Sequence, residues 1–192
     1  DPYSQKPELS LYIVNYKKLD VKIYVVEPQD WNAYQQYLKD FYQSTQKPEP
    51  PGKLVFNQVR SLDLEKDKLS EVKIDLSGVM ETRYGHFIVV AKPVQGFFDD
   101  ERPWEWVRTW VQVTQLGLDA FVDHNTLTAW VTDLKTGQPM ENVAVFSLDN
   151  QEAYKTDLDG IVKIQLPQKG ISAVVARNGE DQVIMPSPHS SW

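Results

Sequence analysis

Three histidines, one run of acids and one Asp-x-Asp-Gly turn are the residues of this chain whose types could carry chemistry. Asp157-Leu158-Asp159-Gly160 starts as a calcium loop starts, with two carboxylates two positions apart and then a glycine for the sharp turn. A full loop needs another oxygen ligand two residues after Asp159 and a glutamate at the loop's twelfth position. Those places hold Ile161 and Gln168, and a strand-like run, Ile161–Leu166, begins at once. The segment therefore reads as a β-turn, able to hold calcium only with ligands from elsewhere. His86, His124 and His189 lie too far apart to form a metal motif. His86 opens an apolar run, His124 sits in a turn and His189 lies near the end of the chain, so each reads as a surface or strand-edge residue. Asp99-Asp100-Glu101 puts three acids in a row, but adjacent carboxylates in a connector are not a positioned acid–base pair.

The signatures of the serine-nucleophile elbow, the P-loop, the dinucleotide-binding turn and the zinc-protease helix are all absent, as is the N-glycosylation sequon. With no cysteine there is no disulfide, thiolate site or thiol nucleophile. The chain reads as no enzyme, with no catalytic residue, no metal site and no cofactor. What stands out instead is aromatic. Phe97, Phe98, Trp104 and Trp106 crowd the acidic run, with Trp110 just beyond. We expect Phe97, Phe98, Trp104 and Trp106 to bury themselves between two domains, and Trp110 to enter the second core. The competing reading is an exposed aromatic platform for a cell-wall glycan or a partner peptide.

The elements that hold these residues follow from pattern. Of 192 residues, 41% are hydrophobic and 24% charged, which is globular composition. The net charge of −7 argues against nucleic acid as a partner. No apolar run approaches the roughly 20 residues of a membrane helix, so no membrane insertion is expected, and the first residues lack the pattern of a secretory leader. Leu9–Val14 and Val21–Val26 alternate as strands, and their short connection predicts an antiparallel hairpin. Asp30 stands as N-cap to a helix over about residues 30–45, with Trp31, Tyr34, Leu38 and Phe41 as its apolar stripe. The prolines from Pro48 to Pro51 stop it. Strands resume at Lys53–Arg60, Glu71–Leu76 and His86–Ala91.

Gly96 to Pro103 supplies Gly, Pro and the acidic run and marks the boundary between two domains, 1–103 and 104–192. The two sides carry net charges of −2 and −5. Beyond it, strands are expected at Thr109–Thr114, Leu116–Val122, Thr126–Val131, Val143–Leu148, Ala153–Thr156, Ile161–Leu166, Ile171–Ala176 and Gln182–Met185. Short strands at this spacing, separated by Asp, Asn and Gly turns, are the pattern of a β-sandwich. The fold class is thus all-β: two tandem antiparallel β-sandwiches, the first with one added α-helix.

Two stretches carry a family resemblance. The first runs from Lys6 through Leu9-Ser10-Leu11-Tyr12-Ile13-Val14 and Val21-Lys22-Ile23-Tyr24 to Trp31. The second is Trp110-Val111-Gln112-Val113-Thr114-Gln115-Leu116-Gly117-Leu118, followed by Ala129-Trp130-Val131 and the turn Thr136-Gly137-Gln138-Pro139. With Thr156–Gly160, they resemble two consecutive macroglobulin domains of the bacterial alpha-2-macroglobulin family. The resemblance implies a fragment of a larger periplasmic or cell-surface protein that traps proteases when they cut a bait region. It also implies that the partners are neighbouring domains of the parent chain and, through that parent, target proteases. The family's thioester needs a cysteine that this chain lacks, and no long bait-like insertion is present. The role left to these residues is that of a scaffold, with Phe97, Phe98, Trp104 and Trp106 fixing the angle between domains.

Overall fold

The computed structural model describes residues 6–94, 102–150, 152–167 and 170–187. It resolves into two compact units, Asp1–Val113 and Thr114–Trp192. Antiparallel strands dominate both, and the one α-helix among the described residues belongs to the first.

The first unit has three layers. Its middle is a four-stranded sheet in the order β3-β2-β5-β6, built from Lys53–Ser61, Lys18–Val26, Gly85–Pro93 and Val107–Val113. β2 buries apolar side chains on both faces, with Leu19, Val21 and Ile23 on one and Tyr24 and Val26, following Asp20 and Lys22, on the other. Such a strand belongs in the centre of a sheet with a layer on each side. On one side lies a two-stranded ribbon, β1 (Glu8–Ile13) against β4 (Ser70–Asp75), with Leu9 opposite Ile74 and Leu11 opposite Val72. Leu11, Ile74 and Leu76 close a core there with Leu19, Val21, Ile23, Phe87, Val89 and Ala91. On the other side lies the helix α1, Trp31–Gln43.

Three sequence expectations change here. The run at Leu9–Val14 does not form a hairpin with the next strand; it crosses to the other layer and pairs with β4. The reason is facial: β1 has one apolar side, fit to cover a sheet, whereas β2 needs partners on both edges. Asn15 marks the crossing in left-handed backbone, φ 62°, and clasps Asp67 through two hydrogen bonds of 2.9 and 2.7 Å. Second, the buried stripe of α1 is Trp31, Tyr34, Tyr37 and Phe41, with Tyr37 in it where Leu38 is expected. Asp30 does not cap α1 with its side chain but accepts from the Glu27 backbone N–H at 2.9 Å. Third, the compact first unit extends to Val113, ten residues past the expected boundary at 103. The cause is β6, which pairs with β5 along its whole length.

The second unit is a seven-stranded sandwich. One sheet is β11-β8-β7 (Ile161–Gln165, Thr126–Asp133, Leu116–Asp123). The other is β10-β9-β12-β13 (Tyr154–Lys155, Ala144–Ser147, Ala173–Asn178, Asp181–Pro186). Leu127, Ala129 and Val131 on β8 and Val162 and Ile164 on β11 alternate inward to meet Val145, Val174, Ala176 and Val183. The expected strands from residue 116 onward all form, each within a few residues of its predicted bounds.

Candidate functional site

The helix side of the first unit gathers its most unusual chemistry. β6 and the residues before it turn Trp106, Arg108 and Trp110 toward α1 by their two-residue period. Trp110 meets Trp31 edge-on, with ring centroids 5.3 Å apart, and its indole N–H donates to His86 Nδ1 at 3.2 Å. Trp106 meets Phe41 at 5.3 Å, also near edge-on. Arg108 lays its guanidinium over Phe41, 3.8 Å from the ring centroid, and donates to the Tyr42 hydroxyl at 2.6 Å. Two other guanidinium nitrogens, Nε and Nη1, are buried without a hydrogen-bond partner. The Phe41 face is the cation's electrostatic partner. The Tyr34 hydroxyl donates to the Arg108 carbonyl at 3.1 Å, which ties the helix to the edge of the sheet.

Beyond this cluster, where α1 ends, a cleft of about 160 Å³ opens over β2 and β5. Asp20, Lys22 and Tyr24 form its floor with Val90 and Lys92, and Lys47–Pro50 wall it on one side. Most of its charged groups are held by neighbours. Lys47 donates to the carbonyls of Phe41 and Ser44, both at 3.0 Å, and so satisfies the end of the helix. Glu49 accepts from Lys22 at 3.0 Å and from the Tyr24 hydroxyl. Lys92 sits over the Trp106 ring at 4.6 Å. Burial, reinforced by Glu49, pushes the Tyr24 phenol well above its ordinary range. The Tyr24 bond, with Lys22 beside it, holds the Glu49 carboxyl below its own. Burial drives Tyr37 up to about 12 against the opposing pull of Arg108, and it raises Tyr34 as well. The arrangement is a polar brace that pins the proline loop to the sheet. It holds no nucleophile paired with a base.

Elsewhere the acids serve turns. Asp157 accepts from the backbone N–H of Asp159 and Ile161 at 3.0 and 2.9 Å, closing a β-turn in which Gly160 is left-handed, φ +72°. The Asp133 carboxylate takes the backbone N–H groups of Lys135 and Thr136, and these bonds keep its acidity high. His124 stands at φ 52° in the turn joining β7 to β8, paired with Asp123 at 2.8 Å. Among the described residues, no three His, Asp or Glu side chains converge as a metal centre requires.

The expected aromatic junction is placed as follows. Phe97 and Phe98 lie outside the described residues, as do Asp99, Asp100, Glu101, Gln168 and His189. Trp104 is 70% exposed. Trp106 turns to Phe41 and Lys92 of its own unit. Trp110 packs in the first unit rather than in the second core, because β6 belongs to the first sheet. His86 is buried behind Trp110, not at the surface. Sequence reading passed over Arg108, Tyr37, Glu49 and Asp181. The alternation of Trp106, Arg108 and Trp110 was the signal that could have revealed the first of these. The other three are placed by tertiary contacts.

No family model matches the chain, and no curated protein does. Solved structures do. The chain is similar to native alpha-2-macroglobulin from Escherichia coli spanning domains NIE-MG1, with a TM-score of 0.69 at 18% identity, over 93% of this chain and 87% of that one. The fold is macroglobulin-like. The MG0-NIE-MG1 fragment of the same protein gives a TM-score of 0.65 at 17% identity, and this chain spans 58% of it. Trypsin-activated alpha-2-macroglobulin from Escherichia coli gives 0.61 at 18% identity, with 12% of its length covered. The solved fragments name their domains differently, NIE and MG1, where the sequence alone suggested two consecutive domains of one macroglobulin kind. No helix among the described residues is long and apolar enough to cross a membrane.

Proposed function

We propose that this chain is a pair of scaffold domains from a bacterial protease-trapping protein of the alpha-2-macroglobulin kind, with no chemistry of its own. In this reading the first unit is the counterpart of NIE and the second of MG1, and the parent protein works in the periplasm or at the cell surface. The supporting observation is the fold match that runs through both NIE and MG1 and leaves only 13% of that fragment uncovered. The site chemistry agrees with it, since Lys22, Lys47, Glu49 and Lys92 of the cleft are each held in contacts that brace the fold. Target proteases are met through the parent protein, and neighbouring domains are the direct partners. Trp104 is the exposed ring available to such a neighbour.

The test is a domain exchange. The chain replaces NIE-MG1 in the Escherichia coli protein, and conversion from the native to the trypsin-activated form is followed by native electrophoresis. A folded exchange protein that converts with trypsin is the expected result; one that stays native overturns the reading. A second arm uses the 192-residue chain alone. It is expected to leave trypsin fully active and to show no saturable tryptophan fluorescence change with cell-wall glycans. Inhibition by the isolated chain, or tight glycan binding, would replace the scaffold with a different function.

A further inference from the structure

β3 is the outermost strand of its sheet, and among the described residues β2 is its only strand partner. An antiparallel edge strand turns alternate backbone N–H and C=O groups away from its neighbour, and those groups are a template for another strand. Protein edges of this kind are commonly blunted by proline, by shortness or by charges along the strand. β3 runs for nine residues, Lys53-Leu54-Val55-Phe56-Asn57-Gln58-Val59-Arg60-Ser61, without proline and with charge only near its two ends.

Register sorts its side chains. Against β2, Leu54 stands opposite Tyr24 and Val59 opposite Asp20, on the helix side of the sheet. There α1 does not reach them: Leu54 is 45% exposed and Val59 58%. The register shift between Ile23 and Tyr24 then has a consequence at the ends of β3. Lys53 falls opposite Val25 and Arg60 opposite Leu19, so the bulge puts both cations on the ribbon side although they are seven positions apart. The edge therefore presents one side with Leu54 and Val59 about Asn57 and another with Lys53 and Arg60 about Phe56 and Gln58, flanking backbone with no further strand partner among the described residues.

Charge selects the occupant. From Lys53 to Leu62 the chain has two cations and no acid, within a protein of net charge −7. Nearby acids are engaged: Glu49 with Tyr24 and Lys22, Asp75 with the Ser77 backbone and hydroxyl and with the field of Arg60, whose guanidinium lies over the Phe56 ring, 5.2 Å from its centroid. A second copy of the chain is a poor occupant. Two-fold antiparallel pairing about Asn57 would set Leu54 against Arg60 and bring two cationic strands together with no acid between them. We propose that the free edge of β3 takes up an extended segment of a partner polypeptide as an added strand. That segment alternates acidic residues, for the side of Lys53 and Arg60, with apolar residues, for the side of Leu54 and Val59. Main-chain bonds supply the affinity and the two sides supply the choice of partner. The proposal does not depend on the protease-trap reading.

Three synthetic nonapeptides test it on the 192-residue chain: one alternating Glu and Val, one alternating Lys and Val, and the Glu–Val peptide with a central proline. Binding is read by fluorescence anisotropy and its location by amide hydrogen exchange. The expected result is saturable binding of the Glu–Val peptide with slowed exchange confined to β3, and at least tenfold weaker binding of the other two. Replacing both cations, Lys53→Glu with Arg60→Glu, should reverse the preference between the Glu and Lys peptides, and Lys53→Glu alone, which spares the Arg60–Phe56 stacking, should shift it the same way. Absence of saturable binding, equal binding of both charged peptides, or protection away from β3 would overturn the proposal. So would β3 protection that rises with protein concentration alongside a sedimenting dimer, since the occupant would then be a second copy.

Discussion

The two units bury different materials. The first buries Tyr24, Trp31, Tyr34, Tyr37, Phe41 and Phe87; the second is filled by Leu, Ile, Val and Ala with Phe146 as its one buried aromatic among the described residues. The difference follows from what each sheet is packed against. Two sheets face to face leave a gap about 10 Å thick, which aliphatic side chains fill from both sides. A single helix cannot cover four strands with aliphatic reach alone, so α1 extends large rings across β5 and β6. Rings with polar rims then need partners, and the first unit supplies them inside the layer: Tyr34 to a carbonyl, Trp110 to His86, Arg108 to Tyr42. In the second unit the polar clasps sit at loop ends. Thr156, buried, bridges the Met140 carbonyl and the Val143 N–H, and Asp149 accepts from Ser172.

The contrast breaks most visibly at Phe41. Its ring is fully buried and touches Tyr37, Trp106, Lys47 and Arg108. Phe41→Ala should cost the first unit about 3–5 kcal/mol, the range for emptying a buried aromatic site. Removing the ring also strips the buried Arg108 guanidinium of its stacking partner. Urea titration followed by amide exchange should show β2 and β5 opening at lower denaturant while β8 and β12 hold. Equal losses in both units would mean that their cores are not separate.

Alkaline pH sharpens the same division without a mutation. Tyr37 is pushed up to about 12 from an ordinary 10.0, chiefly by burial, and Tyr24 and Tyr34 are raised with it. A raised phenol keeps its proton in the folded state when the unfolded chain has lost it. The stabilisation is therefore complete below pH 10 and lost as pH climbs toward the folded value. For Tyr37 alone the loss is about 2 kcal/mol by pH 12, at 1.36 kcal/mol per pKa unit. The second unit has a single tyrosine, Tyr154, at its surface side. The first unit should unfold between pH 10 and 12, with tyrosinate absorbance and loss of β2 amide protection rising together, before the second unit responds.

Legibility differed between the units for the same reason. Second-unit strands alternate cleanly over aliphatic cores, and most of their turns carry Asp, Asn or Gly where the backbone needs them, as Gly160 and Asn142 show. Period and turn chemistry there are local signals, so strand positions could be read directly. The first unit is built from long-range choices. Which strand flanks β2 depends on both of its faces burying apolar side chains, and that is visible only once the layers are known. The spacing of Trp106, Arg108 and Trp110 could have shown a common face, but not that the face belonged to α1, and Trp106 and Trp110 were expected in two different places. The brace at Glu49 was illegible, because an acid between prolines has no pattern until Tyr24 and Lys22 arrive beside it.

The smallest expected effect lies on the second unit and runs the opposite way to Phe41→Ala. Asp181 opens β13 and is buried, yet it keeps its carboxylate oxygens busy: one accepts from the Thr114 hydroxyl at 2.6 Å, the other from the Gln115 N–H at 2.8 Å. Thr114 in turn accepts from the Leu116 N–H at 3.0 Å, so one carboxylate fixes the start of β7. Asp181→Asn keeps the shape but turns an amide N–H₂ toward one of two donors. Leaving a buried donor unmet costs about 1–3 kcal/mol. A loss near 2 kcal/mol is expected, seen as earlier opening of β7 and β13 amides in urea with β2 and β5 unchanged. Asp181→Ala, which leaves both donors unmet, should exceed it. Were Asp181→Asn to weaken β2 as much as β13, the clasp would serve both units, and the division between an aromatic and an aliphatic body would not describe how this chain unfolds.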